Sequence, residues 1–309
     1  MKIVVATFYK FTLLEDYRQM HGPLRLFCQQ HGLRGTVLLA IEGINATVAG
    51  SREAIDDLGA YLRRDTRLAG MEYKESLADD FPFHRMKVRL KKEIVTMGIP
   101  EKQASRISGK HVGPAEWNAL ITDPAVTVID ARNQYECDIG MFKNAVSPQT
   151  EMFHQFPDYV ANNLNPAIHK KIAMYCTGGI RCEKASAYML KQGFSEVYQL
   201  NGGILRYLAE TEPGENLWTG ECFVFDDRVA VNNDLQPGVH QMCFSCRMPV
   251  SPEDRRSEKY EAGVSCPLCF DTQTEERREN LRERQRQVKL AEQRNQRHIG
   301  VPFNPNPAV

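Results

Sequence analysis

Tyr175-Cys176-Thr177-Gly178-Gly179-Ile180-Arg181-Cys182 places a thiol at the junction of an apolar strand and an amphipathic helix, and this junction fixes the fold class around it. Upstream, Lys171-Ile172-Ala173-Met174-Tyr175 has the length and apolar run of a buried strand. Downstream, Cys182, Ala185, Ser186, Met189 and Leu190 fall on one face of a helix that Gly193 ends. Cys176 is therefore expected at a strand's C-terminal end, facing a helix N-terminus. Unpaired amide N–H groups and the positive end of the helix dipole favour an anion there. Gly178 and Gly179 let the loop curl with its amides inward, Thr177 and Ile180 complete it, and Arg181 adds a fixed positive charge. The pattern predicts a thiolate with a depressed pKa at Cys176. The alternative is an inert cysteine buried in a tight turn. A cysteine, two glycines and an arginine so close together weigh against it.

Outward from this loop, strands and helices alternate. Pro114–Leu120 suits a helix, Val126–Ile129 a buried strand, Gln134–Ile139 a short helix, Ile172–Cys176 a strand, Val197–Leu200 another, and Asn201-Gly202-Gly203 leads into a helix over Ile204–Leu208. That order predicts a parallel α/β sheet, with ligands beyond the strand C-termini, where Asp130 joins Cys176. Asp130-Ala131-Arg132 reads first as an ion pair fixing a turn and second as support for the site.

The N-terminal part reads as α+β. Ile3–Phe8 is a strand, Leu13–Met20 carries an apolar stripe, and Gly22-Pro23 is expected to break it before a second helical piece from Pro23 to Gln30. Strands at Gly35–Ile41 and Ile44–Ala49 meet at a tight turn, Glu42-Gly43; Ser51 can cap a helix over Arg52–Leu62, and a fourth strand follows near Met71–Ser76. The order β-α-β-β-α-β is the ferredoxin-like, or acylphosphatase-like, arrangement. Next, Arg85, Lys87, Arg89 and Lys91 alternate with Met86, Val88 and Leu90, giving a strand with one basic and one apolar face. The basic face can track a nucleic-acid phosphate backbone, or it can protect an edge strand from aggregation. Pro100–Lys110 reads as a linker.

The 309 residues, with 42% hydrophobic content and a formal net charge of +0, allow two or three small domains. The apolar start is too short for a signal peptide and no stretch approaches a membrane span, so a cytoplasmic address without membrane contact is expected. Nine cysteines then read as metal ligands and thiols rather than disulfides. Cys243-Phe244-Ser245-Cys246, nineteen further residues and Cys266-Pro267-Leu268-Cys269 predict a structural zinc ribbon with a closed four-thiolate sphere. Cys222 is left to packing, and Cys182 either faces the core or resolves an oxidised Cys176. Beyond Thr274, Arg and Glu dominate a solvated helix whose arginines can also touch RNA, and Phe303–Val309 reads as a disordered tail. No GxGxxG fingerprint and no two-histidine, one-carboxylate set among the eight histidines points to a redox cofactor.

Asp130-Ala131-Arg132-Asn133-Gln134-Tyr135-Glu136, the Cys176–Arg181 loop and Asn201-Gly202-Gly203 together resemble a rhodanese domain, whose loop cysteine carries a persulfide. Four residues separate Cys176 from Arg181, where related phosphatase loops use five to hold a phosphoryl group. Ala40-Ile41-Glu42-Gly43-Ile44-Asn45, the segment Met86–Gly98 with Lys92-Glu93-Ile94-Val95-Thr96, and Thr177–Ser186 extend the resemblance to the bacterial tRNA uridine hydroxylase family, over roughly residues 1 to 270. That resemblance implies a tRNA partner, hydroxylation of the wobble uridine at carbon 5 with molecular oxygen as co-substrate, and Cys176 as the active cysteine. It names neither the electron donor nor the oligomeric state. The implied organisation is a ferredoxin-like domain with RNA binding at 1–99, a rhodanese domain at 110–218, a four-cysteine zinc region at 219–273, and a charged helix with its tail at 274–309. Two rival readings stand beside it: a sulfurtransferase passing the Cys176 persulfide sulfur to an acceptor, and a non-catalytic RNA-binding module.

Overall fold

Period-two alternation makes one face of the N-terminal sheet apolar and leaves the other open, and this asymmetry positions the site. In the computed structural model, which describes residues 2–99 and 107–294, the first elements are β1 (Ile3–Phe11), α1 (Tyr17–Gln30), β2 (Arg34–Ala40), β3 (Gly43–Gly50), α2 (Arg52–Arg63), β4 (Tyr73–Ala78) and β5 (Met86–Leu90). They form one sheet in the order β4-β1-β3-β2-β5. The first four strands have the expected ferredoxin-like order, and β5 joins at the edge, parallel to β2. Val4, Ala6 and Phe8 of β1, Val37 and Leu39 of β2, Ala46 and Val48 of β3 and Val88 of β5 pack with both helices in one core. Thr7, Tyr9, Thr36, Leu38, Asn45 and Thr47, at the intervening positions, lie on the open face.

Ser51 caps α2, its hydroxyl oxygen accepting from the Ala54 N–H at 3.1 Å. The β2–β3 hairpin pairs Ala40 with Gly43 across Ile41-Glu42. Gly43 has φ +142°, and a Cβ there would collide with the Lys10 carbonyl. The break expected at Gly22-Pro23 is absent, because α1 runs through Pro23. An internal proline costs about 3 kcal/mol. Burial of Leu24 and Cys28, with Tyr17, Met20 and Phe27 packed beside them, offsets it.

The chain continues through β6 (Lys110–Val112), α3 (Pro114–Thr122), β7 (Val126–Asp130), α4 (Gln134–Cys137), β8 (Gly140–Phe142), α5 (Phe156–Asn163), β9 (Lys171–Tyr175), α6 (Ile180–Lys191), β10 (Glu196–Leu200) and α7 (Gly203–Glu210). Strands β6-β10-β9-β7 form the expected parallel sheet. On α6, Cys182, Ala185, Ser186 and Met189 are buried as one stripe, and Gly193 follows with φ +93°. Residues 100–106, most of the expected linker, lie outside the described residues, and Lys110 begins β6 instead of ending that linker.

Strand β11 (Trp218–Gly220) pairs with β8, and β12 (Cys222–Phe223) with β13 (Ala230–Val231). Cys222, Val224 and Val231 share a core with Trp117 and Tyr175, which gives Cys222 its packing role. The segment 219–238, expected with the zinc-type cysteines, therefore packs with the preceding residues, and the first compact unit is Met1–Gly238.

The second unit, Val239–Val309, holds the hairpin of β14 (Gln241–Met242) and β15 (Pro249–Val250), a small core of Val250 with cysteines, and α8 (Glu275–Gln293). Thr274 caps α8, which has no buried residue, as its Arg- and Glu-rich composition requires. The tail at Phe303–Val309 lies outside the described residues. Among the described residues no helix is long and apolar enough to cross a membrane.

Candidate active site and metal-ligating cluster

Strand β9 is fully buried from Ile172 to Tyr175, so the chain leaves the sheet at Cys176 with little freedom. Gly179, at φ +97°, turns it into α6, and its N–H donates to the Cys176 sulfur at 3.2 Å. The loop is clasped from behind: the N–H groups of Ile204 and Leu205 donate to the carbonyls of Cys176 and Thr177 at 3.0 and 3.1 Å. Only glycine fits at Gly203, where a Cβ would strike the backbone of Cys176, Thr177 and Gly179. That contact is the physical reason for Asn201-Gly202-Gly203.

Burial opposes ionisation of Cys176, but the Cys182 thiol, the Arg181 charge and the N–H groups of Cys182 and Arg181 outweigh it and bring its pKa down to about 6. Cys182 moves the other way, pushed well above the thiol range by burial and by its bond to Cys176. The two sulfurs thus divide into a thiolate acceptor and a thiol donor. Arg181 does not grip the sulfur. Its guanidinium binds Glu136 at 2.6 and 2.8 Å, and the Thr177 hydroxyl donates to the same carboxylate at 3.3 Å. Glu136 is fully buried and belongs to the capping box of α4, where its side chain accepts from the Asn133 N–H at 3.1 Å. Arg181 therefore acts on Cys176 through its field, tempered by a carboxylate that sequence reasoning saw only as part of a motif. Asp130 and Arg132 form a fully buried pair at 2.6 Å, and Arg132 also donates to the Gly140 carbonyl at 2.6 Å. They fix the chain between β7 and β8, and neither lines the cleft described next.

Cys176, Thr177, Gly178, Ile180 and Arg181 form one wall of a cleft of about 790 Å³, and the open face of the N-terminal sheet forms the other. Tyr9 reaches across from β1, its hydroxyl donating to Glu183 at 3.1 Å. Lys74, Phe225 and Arg228 also line the cleft. Sequence reasoning singled out none of these four residues. Their only signal is an alternate position on a strand or a place in a short loop, which nothing in one sequence ties to a cysteine so far along the chain.

A buried ionic cluster holds the two walls together. Lys184, on α6, meets Glu42 of the hairpin at 2.9 Å and Glu93, beyond β5, at 2.6 Å, and donates to the Val95 carbonyl at 2.9 Å. Glu42 also accepts from the Ile94 N–H at 2.6 Å, and Asn45 donates to the Ile94 carbonyl at 3.0 Å. The segments around Glu42, Glu93 and Lys184, far apart in sequence, are thereby one structural device.

The basic strand reaches the same face. Register pairs Lys87 with Thr36 and Arg89 with Leu38, both cleft-lining, while Arg85 and Lys91 flank β5. Strand β5 is also the sheet edge, as the protective reading required.

In the second unit the sulfurs of Cys243, Cys246, Cys266 and Cys269 all lie within 4.8 Å of one another. Neighbouring pairs are 3.9, 3.6 and 3.8 Å apart. A tetrahedral ion with metal–sulfur bonds of about 2.3 Å gives edges of about 3.8 Å, far longer than a disulfide. The donor set fits a soft tetrahedral cation.

The family model for the UPF0176 acylphosphatase-like domain matches residues 3–94, and that for the rhodanese-like domain matches residues 113–210. A tRNA uridine(34) hydroxylase from Teredinibacter turnerae is 54% identical over 297 residues, which cover 96% of this chain and 92% of that protein. Among solved structures, a rhodanese-like domain from Anabaena sp. is 20% identical with a TM-score of 0.30, covering 37% of this chain and 80% of that one. A Bacillus halodurans protein is 23% identical with a TM-score of 0.28, covering 33% and 73%.

Proposed function

The chain belongs to the tRNA uridine(34) hydroxylase family, and from that premise we propose that it hydroxylates the wobble uridine of tRNA at carbon 5, giving 5-hydroxyuridine with molecular oxygen as co-substrate. The observation that carries this reading is an identity of 54% extending over 96% of the chain rather than over the rhodanese-like part alone. In this reading Cys176 is the essential thiol. The loop amides, Cys182 and Arg181 keep it ionised, Glu136 and Thr177 orient Arg181, and the N-terminal sheet supplies the opposite wall of the cleft. Arg85, Lys87, Arg89 and Lys91 serve the RNA phosphates. Cys243, Cys246, Cys266 and Cys269 hold a structural zinc, which supplies folding energy and, with four thiolates, keeps no position open for chemistry. Nine unpaired cysteines and a tRNA substrate accord with a cytoplasmic protein.

The loop itself favours a second reading: a thiolate with a pKa of about 6 in a rhodanese-like setting suits persulfide transfer to an acceptor. Labelled oxygen gas separates the two. Cells carrying the protein should place the label in wobble 5-hydroxyuridine derivatives, and Cys176→Ser and anaerobic growth should each abolish it. Gain of sulfur instead would establish the sulfurtransferase reading; oxygen derived only from water would rule out molecular oxygen as the co-substrate.

A further inference from the structure

Lys74 stands on β4 beside Thr7, its register partner on β1, and its ammonium lies 4.9 Å from the centre of the Tyr9 ring. It lines the same cleft as Cys176, and its ammonium makes no hydrogen bond or ion pair among the described residues. Burial pulls its pKa down, against the attraction of Glu72 and of the Cys176 thiolate. A partly desolvated cation without an acceptor is unfavourable in the free protein, and a ligand that brings a carbonyl oxygen relieves it. Phe225, also in the cleft, is 58% exposed, with Arg181 5.7 Å from its ring centre. An exposed aromatic face beside a nucleophile is a stacking platform for a base.

We propose that Lys74 is the specificity-determining residue for uracil: its ammonium donates to oxygen 4 of a base turned into the cleft beside Cys176, and that base stacks on Phe225. The inference rests on the tRNA uridine reading and adds to it the means by which uracil is told from cytosine. An ammonium group only donates. Uracil presents an acceptor oxygen where cytosine presents an amino donor, so one lysine attracts the first base and repels the second. Thr7 and Thr47, whose hydroxyls are hydrogen-bonded at 3.2 Å, can donate or accept and hold no such preference. The cleft, at about 790 Å³, has ample room for a pyrimidine nucleotide.

The test is equilibrium binding of the full-length protein to synthetic anticodon stem-loop RNAs that differ only in carrying U34 or C34. The wild-type protein should bind the U34 RNA at least about tenfold more tightly. Lys74→Met should bring that ratio to within about twofold by weakening the U34 complex alone. Lys74→Gln, close in length and able to present either a donor or an acceptor, should do the same, and it keeps the test decisive if the Met variant folds poorly. Phe225→Ala should weaken the U34 complex, whose base stacks there, and leave the C34 complex, whose base Lys74 keeps out, nearly unchanged. A wild-type protein that does not discriminate, or Lys74 variants that still do, would overturn the assignment. Nucleoside mass spectrometry of tRNA from the same strains tests the activity separately: missing 5-hydroxyuridine alongside an intact U34 preference would sink the hydroxylase reading and leave the base-selecting site standing.

Discussion

Replacing Cys182 with alanine removes the thiol that donates to the Cys176 sulfur and leaves Arg181 and the amides in place. A hydrogen bond to a charged acceptor contributes about 1.5–3 kcal/mol, a thiol is a weak donor, and one pKa unit corresponds to about 1.4 kcal/mol. The Cys176 pKa should therefore rise by roughly one unit, from about 6 to about 7. The assay is iodoacetamide labelling across pH, followed by mass spectrometry on the peptide that carries Cys176. The midpoint must be read, not the rate at one pH. A more basic thiolate is also a better nucleophile, by about threefold per unit, which nearly cancels the lost thiolate near pH 6.5 and raises the plateau at high pH. Linkage has a definite sign as well. Because the folded-state pKa is depressed, ionisation of Cys176 stabilises the fold fully above the ordinary thiol range and ceases to do so as pH falls through about 6, or through about 7 in the variant. A midpoint that stays at about 6 would show that Arg181 and the amides suffice; a lower one would show that Cys182 is no donor.

Lys184→Met strands two largely buried carboxylates, Glu42 and Glu93, and should cost about 3–5 kcal/mol in urea unfolding. A loss below about 1 kcal/mol would mean that the carboxylates relax into solvent. Metal analysis should find about one zinc per chain, absent from the double variant Cys243→Ser/Cys269→Ser; a folded, active, metal-free wild-type protein would contradict the ribbon. Changing Arg85, Lys87 and Arg89 together to Ser should weaken tRNA binding and flatten the slope of log affinity against log salt by about two to three. An unchanged slope would leave β5 as a protected edge strand and no more.

The strand, loop and helix around Cys176 were legible because local pattern decides them: an apolar run, glycines where φ turns positive, and a helical stripe ending at Gly193. Ser51 and the paired cysteines were legible for the same reason, since a cap and a pair of CxxC motifs leave their marks at short spacing. Pro23 misled because its local penalty is offset by packing that only the folded sheet supplies. The roles of Glu136, Tyr9 and Lys74 escaped notice on similar grounds. Glu136 meets Arg181 across 45 positions of chain and Tyr9 meets Glu183 across 174, distances over which periodicity carries no information. The Lys184 cluster lay between these cases: its segments carried the family resemblance, yet only the fold shows them to be in contact.

Cys182, Glu183 and Lys184 are consecutive residues near the start of α6, and each points about 100° around the helix from the one before. Cys182 donates to Cys176; Glu183 accepts from Tyr9 on the opposite wall and lies 2.9 Å from His111 of β6; Lys184 joins Glu42 and Glu93. A helical turn is stiff, so these contacts cannot be adjusted one by one. Any rocking of the walls that frees Lys184 also shifts Cys182 against the sulfur it steadies. The tie between the walls and the basicity of the thiol are thus anchored in one short stretch of helix. A rhodanese-like segment excised from this chain would carry the same eight-residue stretch, Tyr175 to Cys182, and a thiol of different reactivity.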